Sequence, residues 1–123
     1  MYKKKAVREN AQLRPRWRVL CGRETALGPG RVELLEYIGK TGSLAAAARS
    51  MDMSYMRAWT LLKSVNGWFR TPLVRVVRGG RSGGGANLTR LGREVIVLYR
   101  QMEKQSQRGV QATWHQLRPH LRH

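Results

Sequence analysis

The spacing of hydrophobic positions changes along the chain, and each change marks an element. RWRVLCG (Arg16–Gly22) alternates, with Trp17, Val19 and Cys21 on one face, which predicts a short strand. ETALGPG (Glu24–Gly30) breaks the pattern at Gly28, Pro29 and Gly30 and reads as a connector. From Arg31 to Gly42 the period lengthens to that of a helix. Leu34, Leu35 and Ile38 form its apolar face, and Gly39 or Gly42 is available to end it. Ser43 is placed to cap a second short helix through Ala45–Ala48, and Met51–Asp52–Met53 reads as a tight turn. Ser54 caps a third helix on which Ala58, Leu61, Leu62, Val65 and Phe69 recur at helical spacing, with Asn66–Gly67 as a weak point. Pro72 blocks further helix. Leu73–Val77 is β-branched and reads as a strand, RGGRSGGG as a turn, and Ala86–Leu88 as a short return strand. Thr89 then caps a long last helix to about Gln107. No internal repeat is present.

The predicted order is strand, three helices, strand, glycine-rich turn, strand, helix. That is a mainly α fold with a small β-hairpin, a winged helix-turn-helix followed by a long C-terminal linker helix. The corresponding boundaries are a basic arm over 1–15, the winged domain over 16–88, the linker and dimerisation helix over 89–107, and a basic tail over 108–123.

Charge narrows the function. The 123 residues carry 24 Lys and Arg against 7 Asp and Glu, a formal net charge of +17. That exceeds what solubility needs and repels itself in the folded state, so a polyanionic partner is implied, nucleic acid before an anionic membrane. The composition is nonetheless 41% hydrophobic, enough to build a core. One cysteine, Cys21, excludes an internal disulfide and a Cys-based zinc site and fits a reducing, cytoplasmic setting. The histidines, His115, His120 and His123, read as an exposed tail rather than metal ligands. No run approaches a membrane span, and the N-terminus lacks the apolar core of a secretion signal. The carboxylates are scattered and form no catalytic arrangement, so no enzyme is expected.

The two short helices and their turn have helix-turn-helix spacing, in which the second helix enters the major groove of double-stranded DNA. Its outward positions are Tyr55, Met56, Trp59, Thr60 and Lys63, with Arg57 to one side. Lys63 supplies charge, Thr60 a hydrogen bond, and Tyr55 and Trp59 flat surfaces, although both aromatics also suit plain packing. Ser43 and Ser54 are placed to meet phosphates at helix starts. The stretch RVVRGGRSGGGANLTRL lacks the Lys-Ser/Thr pair of a nucleotide-binding loop. As a hairpin tip it would set Arg78 and Arg81 over phosphates or in a narrow minor groove. Ser82, Thr89 and Arg90 complete the candidate DNA contacts. On the last helix Leu91, Val95, Leu98 and Met102 form one stripe, and Ile96 and Tyr99, with Val97, a second. Two stripes predict that one packs at home and the other on a second copy, giving a homodimer. Two other readings use the same residues: a non-specific architectural binder of nucleic acid, and a small oxyanion-binding protein with GGRSGGG as the anion nest.

The run GRVELLEYIGKTGSLAAAARSMDMSYMRAWTLLKSVN, followed by LVRVVRGGRSGGGANLTRLGREVIVLYRQM, resembles the N-terminal DNA-binding domain of the ModE family, molybdate-responsive regulators of LysR-type winged-helix form. SYMRAW, GGRSGGGANLT and LTRLG are its most specific parts. The resemblance implies a dimeric, bacterial, cytoplasmic and nucleoid-associated transcription regulator. Ser54–Trp68 would be the recognition helix and Val77–Asn87 the wing. The family's turn usually carries glycine where Asp52 stands here, a residue that tolerates the left-handed conformation. ModE proteins also carry C-terminal molybdate-binding domains. The segment RGVQATWHQLRPHLRH is too short to fold one, so no cofactor is expected of this chain itself, which would be either a sensor-less relative or dependent on another subunit for molybdate sensing.

Overall fold

A computed structural model describes residues 10–77 and 85–122. The chain divides into two units, Trp17–Tyr99 and Met1–Arg16 with Arg100–His123. Residues 1–9 of the predicted arm lie outside the described residues, as do Arg78, Arg81 and Ser82.

The larger unit begins with a hairpin. β1 (Val19–Cys21) pairs antiparallel with β2 (Glu24–Leu27), closed at Gly22, whose φ of 65° is left-handed. The segment expected to be a connector is therefore half strand. Its register shift between Val19 and Leu20 turns Ala26 and Leu27 into the core, while Val19 and Cys21 stay exposed. α1 (Pro29–Thr41) starts two residues earlier than predicted. Proline at the first helical position gives up an N–H that has no partner there anyway, so it starts this helix instead of breaking it. α1 ends at Gly42, with φ 67° and its N–H donated to the Ile38 carbonyl.

α2 (Leu44–Ser50) and α3 (Tyr55–Trp68) follow. Both predicted caps are made: Ser43 Oγ accepts from the Ala46 N–H and Ser54 Oγ from the Arg57 N–H, each at 3.1 Å. Between the helices Asp52 has φ 53°. The Met53 N–H donates to the Ala48 carbonyl and the Asp52 N–H to the Arg49 carbonyl, the paired bonds of a Schellman turn. Asp52 thus does the work that glycine usually does.

Asn66 does not weaken α3, which runs on to Trp68. Its Oδ1 accepts from the N–H groups of Leu73 (2.8 Å) and Val74 (3.2 Å), and its Nδ2 donates to the Val74 carbonyl (3.1 Å). One side chain thereby holds the end of the helix to the start of β3 (Val74–Val77), which pairs antiparallel with β4 (Gly85–Leu88). Asn66→Ala should leave these half-buried backbone groups short of partners, at a cost of about 2 kcal/mol. A lowered urea midpoint with an unchanged slope would show it.

α4 spans Arg90–Leu117, ten residues past its predicted end near Gln107. A single exposed glycine, Gly109, is tolerated because good helix formers surround it. The first turns of α4 close the core. Thr89 Oγ1 accepts from the Gly92 N–H and lies 2.8 Å from the Pro72 carbonyl, to which it donates. Tyr99, 0% exposed, donates its hydroxyl to the Trp17 carbonyl at 2.8 Å. The core gathers Val32, Leu34, Leu35 and Ile38 of α1, Ala47 and Ala48 of α2, Ala58, Leu62 and Val65 of α3, then Leu73, Val74, Ala86, Val95 and Tyr99.

Two predicted dimer contacts are corrected by that core. Val95 (8% exposed) and Tyr99 face into the domain and are unavailable to a partner, and Leu91 and Ile96 pack partly on the same core. The home-facing stripe is therefore drawn from both predicted stripes. Leu98, 50% exposed, points away from it. In the smaller unit, Met102 is also exposed, Arg100 pairs with Glu103 at 2.7 Å, and a 3-10 turn covers Arg118–His120.

Candidate nucleic-acid interface

α3 turns its apolar side inward through Ala58, Leu62 and Val65, and this fixes what it shows outward. Tyr55, Met56, Arg57, Thr60 and Lys63 are exposed, and Met56, at 66%, is the most open of the large apolar residues among the described residues. Trp59 is shared between roles: it packs partly on the core and its remaining surface lines an outer groove. The Thr60 hydroxyl donates to the Met56 carbonyl at 2.9 Å, leaving its oxygen to accept.

The β3–β4 hairpin is tied by the backbone to the end of α1. The Ala86 N–H donates to the Gly42 carbonyl at 2.9 Å, and a side chain at Gly85 would crowd that same oxygen. The result is an open groove of about 510 Å3 that brings Ser43, Tyr55, Met56 and Trp59 together with Val76 and Val77. The two valines are missing from the sequence-based set. β-propensity marks Leu73–Val77 as a strand, but only the fold shows that Val74 turns inward while Val76 and Val77 remain exposed.

Thr89 and Arg90 lie elsewhere. They line a second open groove, about 600 Å3, with Arg75, Asn87 and Glu94. The Thr89 hydroxyl is engaged with Pro72 and Gly92, so its place is that of a helix cap and clasp. Arg93, absent from the candidate set, donates to the Leu88 carbonyl at 3.0 Å and holds the end of the hairpin.

Charge is uneven along this part of the chain. Eight arginines and lysines fall between Met53 and Arg93, and no carboxylate does. The nearest acids in sequence are Asp52 and Glu94. This acid-free span was legible in the sequence, as an uneven distribution of carboxylates rather than as a motif. Among the described residues no group of three or more His, Cys, Asp or Glu is placed to hold a metal ion, and no helix is long and apolar enough to cross a membrane.

No family model matches the chain. Individual proteins do. It is 43% identical over 79 residues to the molybdenum transport protein ModE of Azotobacter vinelandii, a match covering 64% of this chain and 29% of that protein. The matched stretch of this chain is similar to part of that ModE. The ModE-like stretch is also 43% identical over 77 residues to the molybdenum-pterin-binding protein MopB of Rhodobacter capsulatus (63% of this chain, 28% of that protein). It is 39% identical over 71 residues to the DNA-binding transcriptional dual regulator ModE of Escherichia coli K12 (58% and 27%). The chain therefore spans less than a third of the length of the curated relatives it matches. Among solved structures, a LysR family transcriptional regulator aligns with TM-score 0.49 and 17% identity, over 72% of this chain and 27% of that one.

Proposed function

We propose that this chain is a sequence-specific DNA-binding regulator of transcription, with α3 as the helix that enters the major groove and the β3–β4 hairpin as the wing beside it. The observation that carries the reading is the acid-free basic span from Met53 to Arg93, folded so that the open face of α3 and the hairpin border one groove. A helix with exposed Arg57, Thr60 and Lys63 suits phosphate and base-edge contact, and the bare, capped start of α3 suits a phosphate. The likeness to the E. coli ModE, named a DNA-binding transcriptional dual regulator, supports the same reading. Two copies acting together belong to it: exposed Leu98 on α4 is suited to contact a second chain, which would let the pair read an inverted repeat.

The test is selection from random duplexes with the purified chain at near-physiological salt, followed by sequencing. An enriched inverted repeat, bound at least ~10³-fold more tightly than unrelated DNA, is expected of a specific dimeric regulator. Retention of DNA without any enriched sequence would reject specificity and leave a general nucleic-acid binder.

A further inference from the structure

We propose that the groove between α3 and the β3–β4 hairpin seats the 5-methyl group of thymine, making it an apolar reader of A·T pairs; this deepens the DNA-binding reading and rests on it. The lining is the reason. Tyr55, Met56, Trp59, Val76 and Val77 surround the groove, over Ala45 and Ala86, and among the described residues none of the lining side chains carries a charge. Apart from the hydroxyls of Ser43 and Tyr55 and the indole N–H of Trp59 at its margin, that lining offers apolar surface, which favours an apolar group over a phosphate. The surroundings say what bears that group. Arg57 and Lys63 on the same helix and Arg75 on the hairpin are exposed, and no carboxylate lies anywhere from Met53 to Arg93. The occupant is thus an apolar group displayed by a polyanion. In the major groove of DNA, the thymine methyl is that group, and cytosine offers none in its place.

The distinction from general phosphate binding can be measured without knowing an operator. The full chain is titrated against alternating dA·dT duplexes and against alternating dA·dU duplexes of equal length. The two share backbone charge and base-pairing edges and differ by the methyl alone. Binding is expected to be about fourfold tighter for each methyl seated, the equivalent of burying one such group. The two salt slopes should be equal, because the phosphates are the same. Met56→Ala, at a site open enough to tolerate the change, should move the dT to dU ratio towards one. Replacing cytosine by 5-methylcytosine in alternating dG·dC duplexes should tighten binding, because it places the same methyl on the major-groove side. Equal affinity for dA·dT and dA·dU would overturn the proposal while leaving DNA binding intact, as would a Met56→Ala protein that keeps the full ratio. Failure to bind any duplex at low salt would instead reject the DNA-binding reading, and the methyl pocket with it.

Discussion

Gly92→Ala is expected to destabilise the domain severely, whereas Gly109→Ala, the same change on the same helix, is expected to stabilise it. A methyl group at Gly92 would overlap the Leu73 carbonyl oxygen and press on the Leu73 carbonyl carbon and Cα, at 3.1 and 3.4 Å. Those are backbone atoms, and they cannot swing aside. Their position is fixed by Asn66, which holds the Leu73 N–H, and by the Thr89 N–H, which donates to the Leu73 carbonyl at 2.9 Å. Relief requires α4 to lift from the core, which would loosen Val95 and Tyr99 together. Overpacking of this kind costs on the order of 3 kcal/mol. That is a large share of the roughly 5–15 kcal/mol that holds a typical domain together. At Gly109 nothing lies within 4 Å of an added Cβ, so alanine should contribute about 1 kcal/mol through helix propensity alone. Thermal melts of the two variants decide the matter. A Gly92→Ala protein that melts with the parent would mean that α4 does not pack on Leu73.

The second large effect is on DNA affinity as salt is raised. A stretch that carries eight cations and no carboxylate from Met53 to Arg93 should bind mainly by displacing counterions from phosphates. With about 6–10 phosphates neutralised, affinity should fall by ~10³–10⁵ between 50 and 200 mM salt. Lys63→Ala should lower the logarithmic salt slope by about one and weaken binding to all sequences alike, as loss of a phosphate contact does. Thr60→Ala should act on sequence preference and leave that slope in place. Fluorescence anisotropy against salt, on one duplex, is enough to test this. A flat dependence would exclude phosphate contact as the main source of affinity, whatever α3 contacts.

The local features of this protein were written in its sequence. Helical and strand periods separate α1, α2 and α3 from the β3–β4 hairpin. The caps at Ser43, Ser54 and Thr89 follow from residue type and position, because a side-chain oxygen reaches an N–H two or three residues on without help from the rest of the fold. The left-handed turn residue Asp52 and the basic charge belong to the same class. Features that depend on distant partners were not legible. Pro29 reads as a breaker until a helix is seen to begin at it, and ETAL reads as a connector until β1 pairs with it. Asn66 looks like a flaw in α3 because its three hydrogen-bond partners lie beyond the helix, on Leu73 and Val74. On α4 two apolar stripes of similar strength left the inward face undecided. Tertiary packing decided it: the bare backbone of Gly92 lets the helix lie against Leu73, and that contact turns Val95 and Tyr99 inward and Leu98 outward. Sequence spacing fixes which residues share a face of a helix, but only close packing against the rest of the domain selects the face that is buried.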